Sequence, residues 1–302
     1  MAAGRKVEPR RVALRTLKTA AALGDRVRTR APEPGVVVLI YHRVGARGAP
    51  SEIDLPADVF DRQMAWLAET GQVVSLDAAL DLLAGDPPAP GADDPSPSGK
   101  ATTSATPGTA ATRVVVTFDD GTADLADVAL PILARHQVPG TVYLATQYVD
   151  EQIPWPADGS PLSWAGAREM VASGLVTIGS HTHSHVLLDR LSPADAADEL
   201  DRSQRLIEDN LGVAADHFAY PKAVAATDPA IEDQVRQRFR SAALGGNRPN
   251  RYGATDPHRL ARTAIQVSDG VTFFRRKAAG GMALEDSVRR ALNRVRYRSA
   301  SH

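Results

Sequence analysis

The amino-acid sequence predicts an α/β fold built on a parallel sheet or barrel, and three observations carry that expectation. Short β-branched runs alternate with helical patterns along most of the chain. Apolar residues make up 43% of the 302 positions, enough for a large core. Two clusters of ionisable residues follow two of the β runs, and in such folds the chemistry sits at the C-terminal ends of the strands.

Residues 1–35 read as a basic N-terminal extension. Leu14, Leu17 and Ala21 recur at helical spacing, with Arg11, Arg15 and Lys18 between them. The short, alanine-rich apolar face suits a solvated tail. The alternative is a helix lying on an anionic membrane as a peripheral contact. The body then runs from 36 to 280. Val36–Ile40 is a β-branched run after Pro34-Gly35 and predicts a buried strand, ending in Tyr41-His42. Phe60, Met64 and Leu67 share one helical face, with Trp66 beside them as a core residue. Ala79, Leu80, Leu82 and Leu83 suggest a second short helix.

Residues 85–112 are rich in Pro, Gly, Ser, Thr and Ala and hold almost no large apolar side chain. Such a segment buries too little surface to offset its ordering entropy, so it is expected to be a disordered insertion within one domain. Strands are expected at Val114–Phe118, Thr141–Ala145, Leu175–Ser180, Phe218–Tyr220, Ser241–Leu244 and Thr263–Val267. Helices are expected at Leu125–His136, Ala167–Ser173 and Ile231–Phe239. A longer helix opens at Ser192-Pro193, where Ser192 caps it and Asp195 completes a capping-box pattern. Residues 146–164 read as a long loop. At the end, 281–302, Leu284, Val288, Leu292 and Val295 line one face of a basic helix expected to pack on the body.

Composition excludes several functions. The formal net charge of −1 gives no global field for nucleic acid, so none is expected as a partner. The absence of cysteine rules out disulfides, thiolate metal sites, iron–sulfur clusters and a thiol nucleophile. Ala20–Leu23 is too short for a secretory core, and no run approaches the roughly 20 apolar residues of a membrane span. These features predict a cytoplasmic protein or one peripheral to a membrane.

The first ionisable cluster is Thr117-Phe118-Asp119-Asp120-Gly121, and the second is Gly179-Ser180-His181-Thr182-His183-Ser184-His185. Paired carboxylates at the end of an apolar strand are costly unless they face a cation. Side chains alternate along a strand, so one can bind a metal while the other faces a water beside it. His181 and His185 are four apart, which on a helical turn puts both rings on one side. His183 falls on another side and stays outside the ligand set. Two imidazoles and one carboxylate suit one divalent ion, with Zn²⁺ the expected choice, and leave a position open for water.

Residues Thr117–Gly121 resemble the first motif of the polysaccharide deacetylases, the NodB-homology family, and His181–His185 resemble the second. The resemblance extends from about Val36 to Gly280. It implies a distorted (β/α) barrel of about seven strands, which agrees with the alternation above. It also implies a deacetylase acting on an N-acetylated carbohydrate, with Asp119 as catalytic base and Asp120, His181 and His185 as metal ligands.

The third motif departs from the family pattern: Phe218-Ala219-Tyr220-Pro221-Lys222 has alanine where an arginine usually orients the catalytic aspartate. A subgroup with Phe-Ala-Tyr-Pro exists, and Arg262 fits the position of its substitute arginine. Tyr220 and Pro221 are candidates for the substrate groove. The usual C-terminal histidine acid has no counterpart. His42 is the candidate acid, because it ends the first strand and faces the same barrel end, and because relatives with a Tyr-His strand end use that histidine so. Trp155 and Trp164, in the 146–164 loop, would stack on sugar rings if they line the mouth, and would pin the loop otherwise. Three competing readings remain. O-acetyl ester cleavage uses the same machinery. A carbohydrate-binding relative that has lost turnover fits the two departures. A non-haem iron triad fits the ligands, but not the α/β pattern, and would leave Asp119 without a purpose.

Overall fold

The computed structural model describes residues 19, 34–45, 51–85, 112–156 and 159–282. The basic extension, the 85–112 insertion and the C-terminal helix lie outside the described residues, apart from Thr19 and a few residues at their edges.

Seven strands form a closed parallel barrel: β1 (Gly35–Tyr41), β2 (Arg113–Phe118), β3 (Gly140–Leu144), β4 (Val176–Ser180), β5 (His217–Ala219), β6 (Ser241–Gly245) and β7 (Leu260–Ala264). Each pairs with the next, and β7 returns to β1 through Val38↔Arg262, Leu39↔Thr263 and Ile40↔Ala264. Closure leaves these strands without a free edge. Among the described residues, eight helices surround them: α1 (Ala57–Thr70), α2 (Leu76–Ala84), α3 (Leu130–His136), α4 (Thr146–Asp150), α5 (Trp164–Ala172), α6 (Pro193–Leu211), α7 (Pro229–Arg238) and α8 (Gly270–Ala278). A π turn, Leu125–Ala129, leads into α3. Serines open three of the helices: Ser75, Ser163 and Ser192 each accept a backbone N–H from the first turn that follows, satisfying a donor the helix leaves free.

Alternation along the strands divides the core into layers. Val36, Val38, Val115, Tyr143, Ala219, Ala243 and Leu260 fill the barrel, and Leu76, Ala79, Leu80 and Leu83 of α2 join them. Val37, Leu39, Val116 and Phe118 face outward onto α1, α3 and α5. Phe218, Tyr220 and Ala242 pack against α6 and α7. Gly179 shows why one interior position must be bare. A Cβ there would lie 2.8 Å from the Tyr143 ring and 2.6 Å from the His217 carbonyl.

Several boundaries differ from expectation for physical reasons. The last strand is Leu260–Ala264, not Thr263–Val267, because its inward position is the polar Arg262, which hides the strand pattern. The 146–164 segment is not one loop: it holds α4, and the Trp155↔Gly159 and Thr122↔Pro161 bridges tie it down. The strand expected at Phe218–Tyr220 is His217–Ala219, shifted by one residue. The paired segments Arg43–Val44 and Asp54–Leu55, the antiparallel Asn250–Arg251 and helix α8 were not anticipated.

Candidate active site

The two ionisable clusters meet at the C-terminal end of the barrel. Asp119 follows β2, and its N–H donates to the Tyr41 carbonyl at the end of β1 (3.0 Å). The chain then turns sharply. Asp120 has φ +75° and Gly121 φ +89°, the left-handed region that Asp and Gly tolerate best. Any side chain at Gly121 would also strike Leu144, at 2.8 Å from the added Cβ. The turn sends consecutive carboxylates different ways. Asp119 goes inward to Arg262, and Asp120 goes to the rim beside the histidines.

The second cluster follows β4. Its entry is held by the His181 N–H donating to the Leu144 carbonyl (2.9 Å). Thr182 (φ +63°) and His185 (φ +60°) are both left-handed, so the segment is a tight turn and not a helix. Both imidazoles still point the same way: His185 Nε2 is 3.3 Å from Asp120 Oδ1, and His181 Nε2 is 3.8 Å from the same oxygen. His181 Nδ1 donates to the Ala219 carbonyl (2.6 Å), which fixes the tautomer and leaves Nε2 with its lone pair facing Asp120. His183 turns elsewhere, its Nδ1 against the Thr146 hydroxyl (3.0 Å).

Ligand atoms of Asp120, His181 and His185 all lie within 4.8 Å of one another, so small side-chain shifts would bring them onto one ion at about 2 Å each. Burial lowers both imidazoles, His181 to about 4 and His185 to about 3, against an opposing pull from the aspartates. Both rings are therefore neutral near pH 7, the form that binds metal. One carboxylate and two neutral imidazoles converging without protons between them fit a divalent cation.

Arg262 is fully buried and grips Asp119 through two bonds, Nη1 to Oδ1 at 2.6 Å and Nη2 to Oδ2 at 2.9 Å. Such a fork holds the carboxylate plane in one orientation. Burial would raise the Asp119 carboxyl. The Arg262 charge and its hydrogen bonds outweigh it and hold the group well below the usual carboxylate range. Asp119 Oδ2 lies 3.9 Å from His181 Nε2, so the clamped carboxylate borders the metal cradle. Tyr143 supports the arginine from inside the barrel, its ring centroid 5.1 Å from the guanidinium. The sequence reading missed Tyr143. The available signal was an aromatic residue on β3 opposite a strand glycine, Gly179.

His42 follows β1 and neighbours both Asp119 and His181. Its Nδ1 is buried without a hydrogen-bond partner. Trp155 is 7% exposed, stacks on Tyr148 (3.8 Å, 9° between planes) and meets His185 edge-on at 5.3 Å. It walls the cradle.

Two expected substrate contacts are corrected. Trp164 is the first residue of α5, not a loop residue, and its indole N–H donates to Asp150 (3.0 Å) while its ring packs on the outer core. Tyr220 faces the outer layer, edge-on to Phe218 at 4.9 Å, with its hydroxyl donating to Glu232 of α7 (3.3 Å). Ala219 takes the inward position, and alternation turns the next residue out. Pro221 is buried just after it.

A family model described as polysaccharide deacetylase matches residues 107–242, which span both ionisable clusters. This stretch of the chain is similar to the polysaccharide deacetylase family. Among curated proteins, YxkH of Bacillus subtilis (strain 168), which carries polysaccharide deacetylase in its name, is 24% identical over 186 residues, covering 61% of this chain and 55% of that protein. The match thus spans about half the length of that relative. Among solved structures, IcaB from Ammonifex degensii is 27% identical with a TM-score of 0.64, covering 84% of this chain and 100% of that one. The Streptococcus pyogenes deacetylase PplD, solved with acetate, has the same fold at 19% identity and a TM-score of 0.65, covering 82% and 99%. Among the described residues, no helix is long and apolar enough to cross a membrane.

Proposed function

We propose that this chain is a metal-dependent hydrolase that removes acetyl groups from an N-acetylated carbohydrate. One observation carries the reading: a buried carboxylate, Asp119, is clamped by Arg262 beside a cradle of Asp120, His181 and His185 at the barrel mouth. A divalent ion, Zn²⁺ by the donor set, would supply Lewis acidity for the acetyl carbonyl and lower the pKa of water. Asp119, always ionised at working pH, accepts the proton of the attacking water. Arg262 keeps that carboxylate aimed, since a rotated base would lose the proton in flight. His42 hands a proton to the departing amine. An amine leaves only when protonated, whereas an alkoxide depends less on an acid, so a histidine at this position supports amide over ester cleavage. Trp155 excludes water behind His185 and shapes the space for the acetyl group.

The Arg262 clamp supports turnover over binding alone, because it restores the orienting contact whose absence motivated the binding-only alternative. The test is acetate release from a panel of N-acetylated and O-acetylated sugars, with and without chelator. Release from N-acetylated sugars that stops on chelation is the expected result. Release from O-acetylated sugars alone would replace this reading with an esterase, and no release from either would reject hydrolysis.

A further inference from the structure

Beyond the residues that would touch metal or substrate, the turn from His181 to His185 has to be held in a conformation it does not favour. Thr182 and His185 both have positive φ, and for β-branched Thr182 that is a true outlier. Such a turn persists only where its surroundings over-determine it. The structure accounts for its backbone groups from two sides. Its carbonyls at Thr182 and His183 accept the N–H groups of Thr146 (3.3 Å) and Gln147 (2.8 Å), at the start of α4. Its N–H groups go to α6. Glu199 Oε2 accepts from His183 N (3.0 Å) and Ser184 N (2.8 Å), and Oε1 accepts from the Ser184 hydroxyl (2.8 Å). Four residues along α6, on the same face, the buried Ser203 hydroxyl meets Ser180 Oγ at 2.8 Å, and Ser180 Oγ accepts from Thr182 N at 3.3 Å.

We propose that Glu199, with Ser203 one turn along, is the positioning residue that presets the metal-binding turn, so that the cation meets a cradle already formed. One carboxylate collects three hydrogen bonds from two of the three residues between the ligands, and charge-assisted bonds to backbone N–H groups are the strong kind. Nothing else in the site explains an acidic side chain directed at the back of this turn. Glu199 touches no reacting atom. It acts through the turn, and its effect belongs to metal affinity and to the order of two amides.

This inference rests on the metal reading above, and the experiment separates the two. Zinc affinity is measured by competition with a chromophoric chelator on metal-stripped wild type, Asp120→Ala, Glu199→Ala, Glu199→Gln and Asp201→Ala. Asp201 lies on the same helix but pairs with Arg238, so its variant disturbs α6 without touching the turn. Partners that orient metal ligands typically change affinity by roughly 10- to 100-fold. Glu199→Ala should lose affinity in that range, Glu199→Gln less, and Asp201→Ala almost none. Hydrogen exchange on the metal-free proteins should show the His183 and Ser184 amides losing protection in both Glu199 variants and keeping it in Asp201→Ala. Wild type that binds no zinc, or Asp120→Ala that binds it as well, would overturn the metal reading. Tight wild-type binding with both Glu199 variants unchanged, and their two amides still protected, would overturn the role of Glu199 alone. Should Glu199→Ala fail to fold, Glu199→Gln and Ser203→Ala carry the same test with a smaller loss of the same sign, and unchanged affinity in both would refute it.

Discussion

Both ends of the barrel hold histidine, aspartate and arginine, but they spend them differently. At the N-terminal end, His217 is bonded on both ring nitrogens, to the Ser241 hydroxyl (2.9 Å) and to Asp77 (3.3 Å). Arg240 bridges Asp77 and Asp81 of α2, and the whole network pins that helix under the barrel. At the C-terminal end, His181 has one nitrogen fixed on a carbonyl and the other turned toward Asp120 and His185. Identical residue types thus make a closed network below and a converging set of lone pairs above. The first stabilises the fold. The second suits a cation, and beside it Arg262 is directed into the buried carboxylate of Asp119.

Substitutions sharpen that contrast, beginning with the largest expected effect. Asp119→Asn should reduce acetate release by roughly 10²- to 10⁴-fold while zinc content stays constant. Retained activity would remove Asp119 from the chemistry. Arg262→Met would leave a buried carboxylate unpaired and is expected to cost about 3–5 kcal/mol in denaturant unfolding, together with most activity. At the other end, His217→Ala should cost about 1–3 kcal/mol through the stranded Ser241 hydroxyl, with kcat unchanged. A matching loss of kcat would break the division between the two ends. Tyr143→Phe, which keeps a ring beside Arg262, should lower kcat less than Tyr143→Leu does, and equal effects would deny the ring a part in holding the arginine.

Titration gives a further comparison. His181 and His185 sit near 4 and 3 in the folded chain, chiefly because burial penalises the imidazolium, against 6.5 for the free side chain. Below pH 6.5 the unfolded chain takes up protons that the folded chain refuses, so the metal-free protein loses stability as pH falls from about 6.5 toward 4. Burial depresses His217 as well, so His217→Ala should flatten part of that slope and His185→Ala another part. A stability profile level across this window in the chelated wild type would contradict the buried, neutral state of these rings.

What could be read from sequence follows from what each residue is for. Val36–Ile40 was evident because a run of branched side chains has one comfortable conformation. Asp119, Asp120, His181 and His185 stood out because ionisable groups at strand ends have no packing reason to be there. β7 was displaced because its inward residue, the buried Arg262, interrupts the apolar pattern that would have marked it. Tyr220 was misjudged because the short apolar run does not say which of its faces turns inward: Ala219 enters the barrel, so alternation puts Phe218 and Tyr220 outside. Helix α4, five residues without a side-chain cap, carries no sequence signal. Glu199 reads on α6 as one carboxylate among several, and only the folded chain brings the turn to it.

Diffraction from crystals grown with zinc, recorded at the zinc absorption edge, tests the central claim most directly. One strong anomalous peak is expected about 2.0–2.2 Å from an Asp120 oxygen, His181 Nε2 and His185 Nε2 together. Zinc bound elsewhere in those crystals, with no peak between these three side chains, would contradict it.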